Sequence, residues 1–200
     1  MAGRWWVSLV VLAALATVVA KADAGLPQAS DPVIKPARSL GGVRLGMDRK
    51  EAKRAWGSTS DYCSERGCNF GPKNESKGYA SLFFRKDEVV QANITATFHY
   101  GSGSVYTDKM QTPGRRLMRF HTPGGIKIGD AGSLVKEEFS RAKLIGKATA
   151  GTSAWYVAGP GDAFMSFGMH NGSTIHSITL SNTGNPSRLT KAARLRAPAG

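Results

Sequence analysis

Few residues in this chain are of types that do chemistry, and their spacing narrows the chemistry further. Cys63 and Cys68 are the only two cysteines and lie in one short segment. Behind a secretory leader the default for such a pair is a disulfide, with reactive thiols or a metal site as the alternatives. A metal would need further ligands, and none is spaced near them. Chain-entropy arithmetic for so small a loop assigns the bridge about 2 kcal/mol, enough to hold one loop but not to found a fold. The four histidines, His99, His121, His170 and His176, share no i, i+4 or H-x-H spacing. His176 is expected on the inward side of its strand, in line with Ile178 and Leu180, as a core histidine. No G-x-S-x-G, H-E-x-x-H or paired-carboxylate strand end occurs, so no hydrolase constellation is legible. Gly101 to Ser104 is followed by neither Gly-Lys-Ser/Thr nor G-x-G-x-x-G, which argues against a nucleotide. Asn74, Asn93 and Asn171 open N-x-S/T triplets that matter only in a eukaryotic secretory pathway and are read as chance matches. Catalysis, cofactor and metal are therefore not expected.

What remains is a surface. In the strand expected over 89–100, Val90, Ala92, Ile94, Ala96 and Phe98 alternate with Gln91, Asn93, Thr95, Thr97 and His99, so one face packs and the other meets water or a partner. Leu82 and Phe84, with Met165 and Phe167, should face the helices. That turns Phe83 and Phe164 the other way, beside Gln91, Asn93, Thr95, Ser177 and Thr179. Aromatic rings set among hydroxyls and amides are how many binding surfaces are built, so these residues are the candidate partner-binding set; an ordinary solvated sheet is the alternative.

The elements that would position this face are announced by a glycine-led stretch. Gly41-Gly42-Val43-Arg44-Leu45-Gly46 returns as Gly124-Gly125-Ile126-Lys127-Ile128-Gly129, 83 positions on. Ala52 then matches Val135, Trp56 matches Phe139, and Leu82 and Phe84 match Met165 and Phe167. The pattern predicts an α+β chain of two tandem repeats, 38–100 and 120–182, each a helix packed on an antiparallel sheet that ends in a hairpin, joined by a connection over 101–119. In the first repeat Asp48 caps a helix with Glu51 three residues on, as in a capping box. Ala52, Ala55 and Trp56 form its apolar stripe, and Gly57 ends it. In the second, Asp130 is the expected cap and Leu134, Val135, Glu138, Phe139 and Ala142 the buried stripe. Strands are expected over 79–85, over 154–158, and over 163–169 with 174–180 across Asn171-Gly172, a strong tight-turn signal. Shorter strand pieces are expected at 61–63, 68–70 and 117–120, and Lys86-Asp87-Glu88 is the expected turn of the first hairpin.

Residues 1–24 read as a signal peptide, with Arg4 before an apolar run and Ala22-Asp23-Ala24 as the cleavage site. The expected location is secreted or extracytoplasmic, with no stable transmembrane segment after cleavage. Residues 25–37 carry Pro27, Pro32 and Pro36 and read as an extended leader that adds nothing to a core. With 27 basic against 14 acidic side chains, a formal net charge of +13 favours polyanions and makes association salt-sensitive. Part of that excess lies in residues 183–200, read as a basic flexible tail carrying Lys191, Arg194 and Arg196. A monomer is expected.

Val43-Arg44-Leu45-Gly46-Met47-Asp48 resembles the hydrophobic-x-Leu-Gly-Met-Thr opening of the secreted beta-lactamase inhibitor protein family and of the BamE-type (SmpA/OmlA-like) envelope lipoproteins. Phe83-Phe84 with Val89-Val90 is similar to their Leu-x-Phe … Val hairpin. The resemblance implies a non-catalytic secreted protein, possessing an inhibitory or other binding role, that presents a sheet to a protein or envelope partner. Electrostatic attachment to an anionic cell-wall or membrane polymer is the alternative function.

Overall fold

In the computed structural model, residues 25–57, 62–71, 77–96, 112–145, 153–170 and 173–183 are described. Ile34–Lys35 (β1), Ser39–Leu40 (β2) and Val43–Arg44 (β3) form a small antiparallel sheet in that order. Eight further strands make one large antiparallel sheet: Tyr62–Cys63 (β4), Gly67–Phe70 (β5), Tyr79–Arg85 (β6), Glu88–Thr95 (β7), Lys143–Ile145 (β8), Ser153–Ala158 (β9), Phe164–His170 (β10) and Thr174–Ser181 (β11). Their order is β4-β5-β6-β7-β11-β10-β9-β8. Three short helices, Arg49–Ala55 (α1), Arg115–Met118 (α2) and Ser133–Glu138 (α3), accompany them.

This overturns the expected α+β chain of two tandem helix-on-sheet repeats. The protein is mostly β, and its helices of 7, 4 and 6 residues are too short to form a packing layer for each half. The β7–β11 pair, with Ile94 opposite Ile178, joins the two hairpins edge to edge, which satisfies strand edges that separate units would expose. A single apolar cluster runs beneath, from Leu26 and Trp56 through Phe84 and Ile94 to Ile128, Val135 and Phe167. Among the described residues it forms one cluster. Both glycine-led stretches do make a similar backbone turn: Gly46 donates its N–H to Val89 O and Gly129 to Ile175 O, each at 2.8 Å. They lead into one shared sheet.

Local structure follows the sequence closely at α1. The Asp48 carboxylate accepts the Glu51 N–H at 2.9 Å, Ala52 and Trp56 are fully buried, and Gly57 closes the helix at φ 54°. At α3 the expectation fails. Its N-cap is Gly132, while Asp130 accepts the Lys127 N–H at 3.0 Å in a turn of its own. The buried stripe is narrower than expected, since Val135 and Ala142 are buried but Leu134 is 37% exposed. Glu138 is half-buried because its carboxylate accepts from Thr122 Oγ1 (2.5 Å) and the Gly124 N–H (3.0 Å). Leu117 to Phe120 is helical through Met118 instead of a strand; N–H groups of Leu117 and Met118 turn back onto the Gly114 carbonyl.

Segment 25–37 is no passive leader. Leu26 and Ile34 are fully buried, the Gln28 N–H donates to Trp56 O at 2.6 Å and the Ile34 N–H to His121 O at 2.7 Å. Its apolar residues are sparse, yet each is docked. The expected signal peptide at 1–24, Asn74, Phe98 and His99, residues 101–111 of the expected connection, Asn171-Gly172 and the expected tail from 184 onward lie outside the described residues.

Both hairpins depart from strict alternation near their turns. Lys86 (φ 51°) and Asp87 (φ 61°) are both left-handed, a two-residue connection of the type that matches strand twist, so Glu88 already belongs to β7. Phe83 then opposes Gln91 while Phe84 opposes Val89, which leaves Val90 as the extra residue of a bulge. Val89 is the buried one, correcting the expectation for Val90. In the second hairpin Gly168 opposes Ser177 and Met169 opposes Ile175, leaving His176 extra. Ile175 takes the core position, and His176 falls out of line with Ile178 and Leu180.

Candidate functional site

Residues opposite one another in an antiparallel sheet share a face, so the registers map the face turned away from the core, on which Ser81 and Ser181 are nonetheless buried. One row crosses all eight strands: Tyr62, Asn69, Ser81, Asn93, Thr179, Ser166, Tyr156 and Lys143. Beside it runs a second row of Gly67, Phe83, Gln91, Ser181, Phe164 and Ala158. On the other side Thr95 opposes Ser177, and Ser177 opposes Gly168. The fold thus brings Phe83, Gln91, Asn93, Thr95, Phe164, Ser177 and Thr179 onto one outward face. Phe83 and Phe164 sit three strand spacings apart in the same row, about 14 Å.

These side chains are not equally available. The Thr179 hydroxyl donates to Asn93 Oδ1 at 2.9 Å, and Asn93 Nδ2 donates to Thr95 Oγ1 at 2.8 Å. That polar chain straps the β7–β11 seam. Phe164 packs against the Tyr156 ring with centroids 5.6 Å apart, and burial raises the Tyr156 phenol above its ordinary value of 10.0. Phe83 stands out at 42% exposed. Its ring leans over Gly67, where a Cβ would come within 3.4 Å of ring Cδ1 and 2.8 Å of the Leu82 carbonyl. It is the backbone carbonyl, not the ring, that a side chain at this position could not tolerate.

Sequence reasoning missed what surrounds Phe83. An open cleft of about 1110 Å³ lies at the β6–β7 turn, lined by Phe83, Val90, Gln91 and Thr183 together with Arg66, Arg85 and Lys86. Its outer wall is the loop between β4 and β5, held from two sides. The Cys63–Cys68 disulfide closes that hairpin across directly opposed residues. Arg49, from the first turn of α1, donates to Ser64 O (2.7 Å), Glu65 O (2.5 Å) and Asp87 Oδ1 (2.8 Å), with its guanidinium 4.3 Å over the Phe84 ring. In the sequence Arg49 reads as helix surface, Arg85 as the end of a strand and Lys86 as a turn residue. Only the fold shows them converging.

Among the described residues the ion pairs are Lys35–Asp31 and Arg49–Asp87, so Arg66, Arg85 and Lys86 are unpaired. No group of three His, Cys, Asp or Glu side chains there is placed to hold a metal ion. His121 Nδ1 donates to the Arg119 carbonyl at 2.7 Å, and His176 lies by Gly168. No helix among the described residues is long and apolar enough to cross a membrane.

No protein-family model matches the sequence, and no curated protein matches it significantly. Among solved structures it is similar to a DUF4309 family protein (YjgB) from Bacillus subtilis, with TM-score 0.38 and 11% identity over 67% of this chain and 77% of that one. A SCP-domain extracellular protein from Bacillus anthracis gives TM-score 0.38 and 12% identity over 70% of this chain and 44% of that one. A cysteine-rich secretory protein (SAV1118) from Staphylococcus aureus gives 0.37 and 13% over 76% and 48%. Likeness this distant assigns neither fold family nor activity.

Proposed function

We propose that this chain is a secreted, non-catalytic binding module that docks a protein or cell-envelope partner on the outward face of its large sheet. The observation that carries the reading is the convergence of aromatic, amide and hydroxyl side chains on one face, with Phe83 projecting from it at 42% exposure. Rings bedded in a polar surround supply contact area at small ordering cost, as interface anchors do. The Asn93–Thr179 strap keeps the centre of that face rigid, which lowers the cost of docking. Secretion fits the leader-like residues 1–24 and a disulfide of the kind that persists in oxidising compartments.

A pull-down from an envelope fraction at low and high salt tests this, comparing the wild-type mature chain with the Phe83→Ala/Phe164→Ala variant. Retention of one protein at high salt, lost in the double variant, is the expected result. Capture of polyanions alone, released by salt and indifferent to both phenylalanines, refutes it in favour of electrostatic attachment through the basic surface.

A further inference from the structure

The cleft beside Phe83 has a chemistry more specific than the face as a whole. Arg66, Arg85 and Lys86 are exposed, unpaired and gathered around one exposed aromatic ring. We infer that this cleft is the anchor subsite of the face and takes an acidic segment of a protein partner, with carboxylates on Arg66, Arg85 and Lys86 and an apolar side chain on Phe83. The inference rests on the binding reading above and names the partner's chemistry.

Charge complementarity decides the sign of the occupant. Two guanidinium forks suit carboxylates, which they engage through paired N–H donors. The exposed aromatic ring decides its class. A uniform polyanion, such as a phosphate polymer, gains most from an unbroken basic track and nothing from Phe83. This cleft is mixed, with Glu65 and Asp87 among its lining residues, and Asp87 is already neutralised by Arg49. A peptide that alternates acidic and apolar side chains satisfies both the cations and the ring. Its own geometry favours capture as well. With the wall loop held by the disulfide and by two Arg49 hydrogen bonds, to Ser64 O and Glu65 O, little ordering is left for the partner to impose.

The test is an amide NMR titration of the mature chain with a short synthetic peptide alternating glutamate and leucine, beside inorganic polyphosphate and a lysine–leucine peptide. Expected are shifts concentrated at Arg66, Phe83, Arg85 and Gln91, and a loss of affinity of about tenfold or more in Arg66→Glu/Arg85→Glu. Phe83→Ala should weaken the glutamate–leucine peptide but leave polyphosphate unaffected, and the lysine–leucine peptide should not bind. Circular dichroism confirms that each variant is folded. Absence of shifts, equal binding of the lysine peptide, or shifts on the basic side of α1 at Lys50, Lys53 and Arg54 overturns the proposal. Shifts at Asn93, Thr179 and Phe164 that survive the charge reversal sink the cleft but leave the face reading standing. Envelope retention indifferent to Phe83 and Phe164 sinks both.

Discussion

Replacing Trp56 by alanine should destabilise the whole sheet as one unit, although Trp56 lies in the first third of the chain. The side chain is fully buried, its indole N–H donates to Leu40 O at 3.2 Å, and its ring meets the edges of Phe70 at 5.2 Å and Phe120 at 6.4 Å between centroids. It therefore ties α1 to β2, to β5 and to the segment that follows α2. Truncating a buried tryptophan costs about 3–5 kcal/mol, the edge contacts included. Trp56→Phe keeps much of the packing but strands the Leu40 carbonyl, for about 1–3 kcal/mol. Against a total stability of about 5–15 kcal/mol, the alanine variant approaches the unfolding threshold and the phenylalanine variant does not. Urea unfolding followed by far-UV circular dichroism and by the amide signals of Met165 and Phe167 measures both losses. The midpoints from the two probes should fall together, with the alanine variant falling further. Phe167 signals that keep the wild-type midpoint while dichroism shifts would refute the single shared core.

Reducing the Cys63–Cys68 bridge should raise the intact mass by two hydrogens and cost about 2 kcal/mol. It should also loosen the β4–β5 loop enough to weaken acidic-peptide binding, while hydrogen exchange across β7 and β11 stays slow; equal loss of protection in both places would count against a local role. The Tyr156 phenol, raised above 10.0 by burial, holds its proton more tightly in the folded chain than in the unfolded one. Its contribution to stability is complete below 10.0 and is lost as pH rises through the folded value. Tyr156→Phe should flatten that alkaline limb in urea midpoints measured against pH, and an unchanged slope would show that another group titrates there.

Local signals read well in this sequence because they are local. The Asp48 cap, the helix it starts and the strand Tyr79–Arg85 need only their own neighbours. Alternation likewise placed Phe83, Gln91, Asn93, Thr95, Phe164, Ser177 and Thr179 on the outward side, since a period of two needs no knowledge of which strand lies next door. Pairing does need it. The Asn93–Thr179 bond links residues 86 apart, and no short-range pattern distinguishes two sheets from one sheet joined at that seam. The burial of Leu26 and Ile34 is illegible for a related reason: apolar residues spaced among prolines have no period, and their segment is docked by the bonds from the Gln28 N–H to Trp56 O and from the Ile34 N–H to His121 O, which form only in the folded chain.

The cleft escaped notice through a break in the very pattern that revealed the face. Strict alternation runs Val90 inward with Ala92 and Ile94, but the bulge opposite Phe83 and Phe84 inserts one residue and puts Val89 in the core instead. Val90 is left to line the cleft beside Phe83 and Gln91. A bulge bends its strand and increases local twist, and this one lies beside the cleft between the β6–β7 turn and the disulfide-closed β4–β5 loop. Arg66 and Arg85 are both among the residues that line it. A flat, unbulged hairpin would carry Phe83 as one more ring on an even sheet. With the bulge, Phe83 lines a cleft together with Arg66, Arg85 and Lys86, and the place where the sequence pattern breaks is the place of the proposed acidic-peptide subsite.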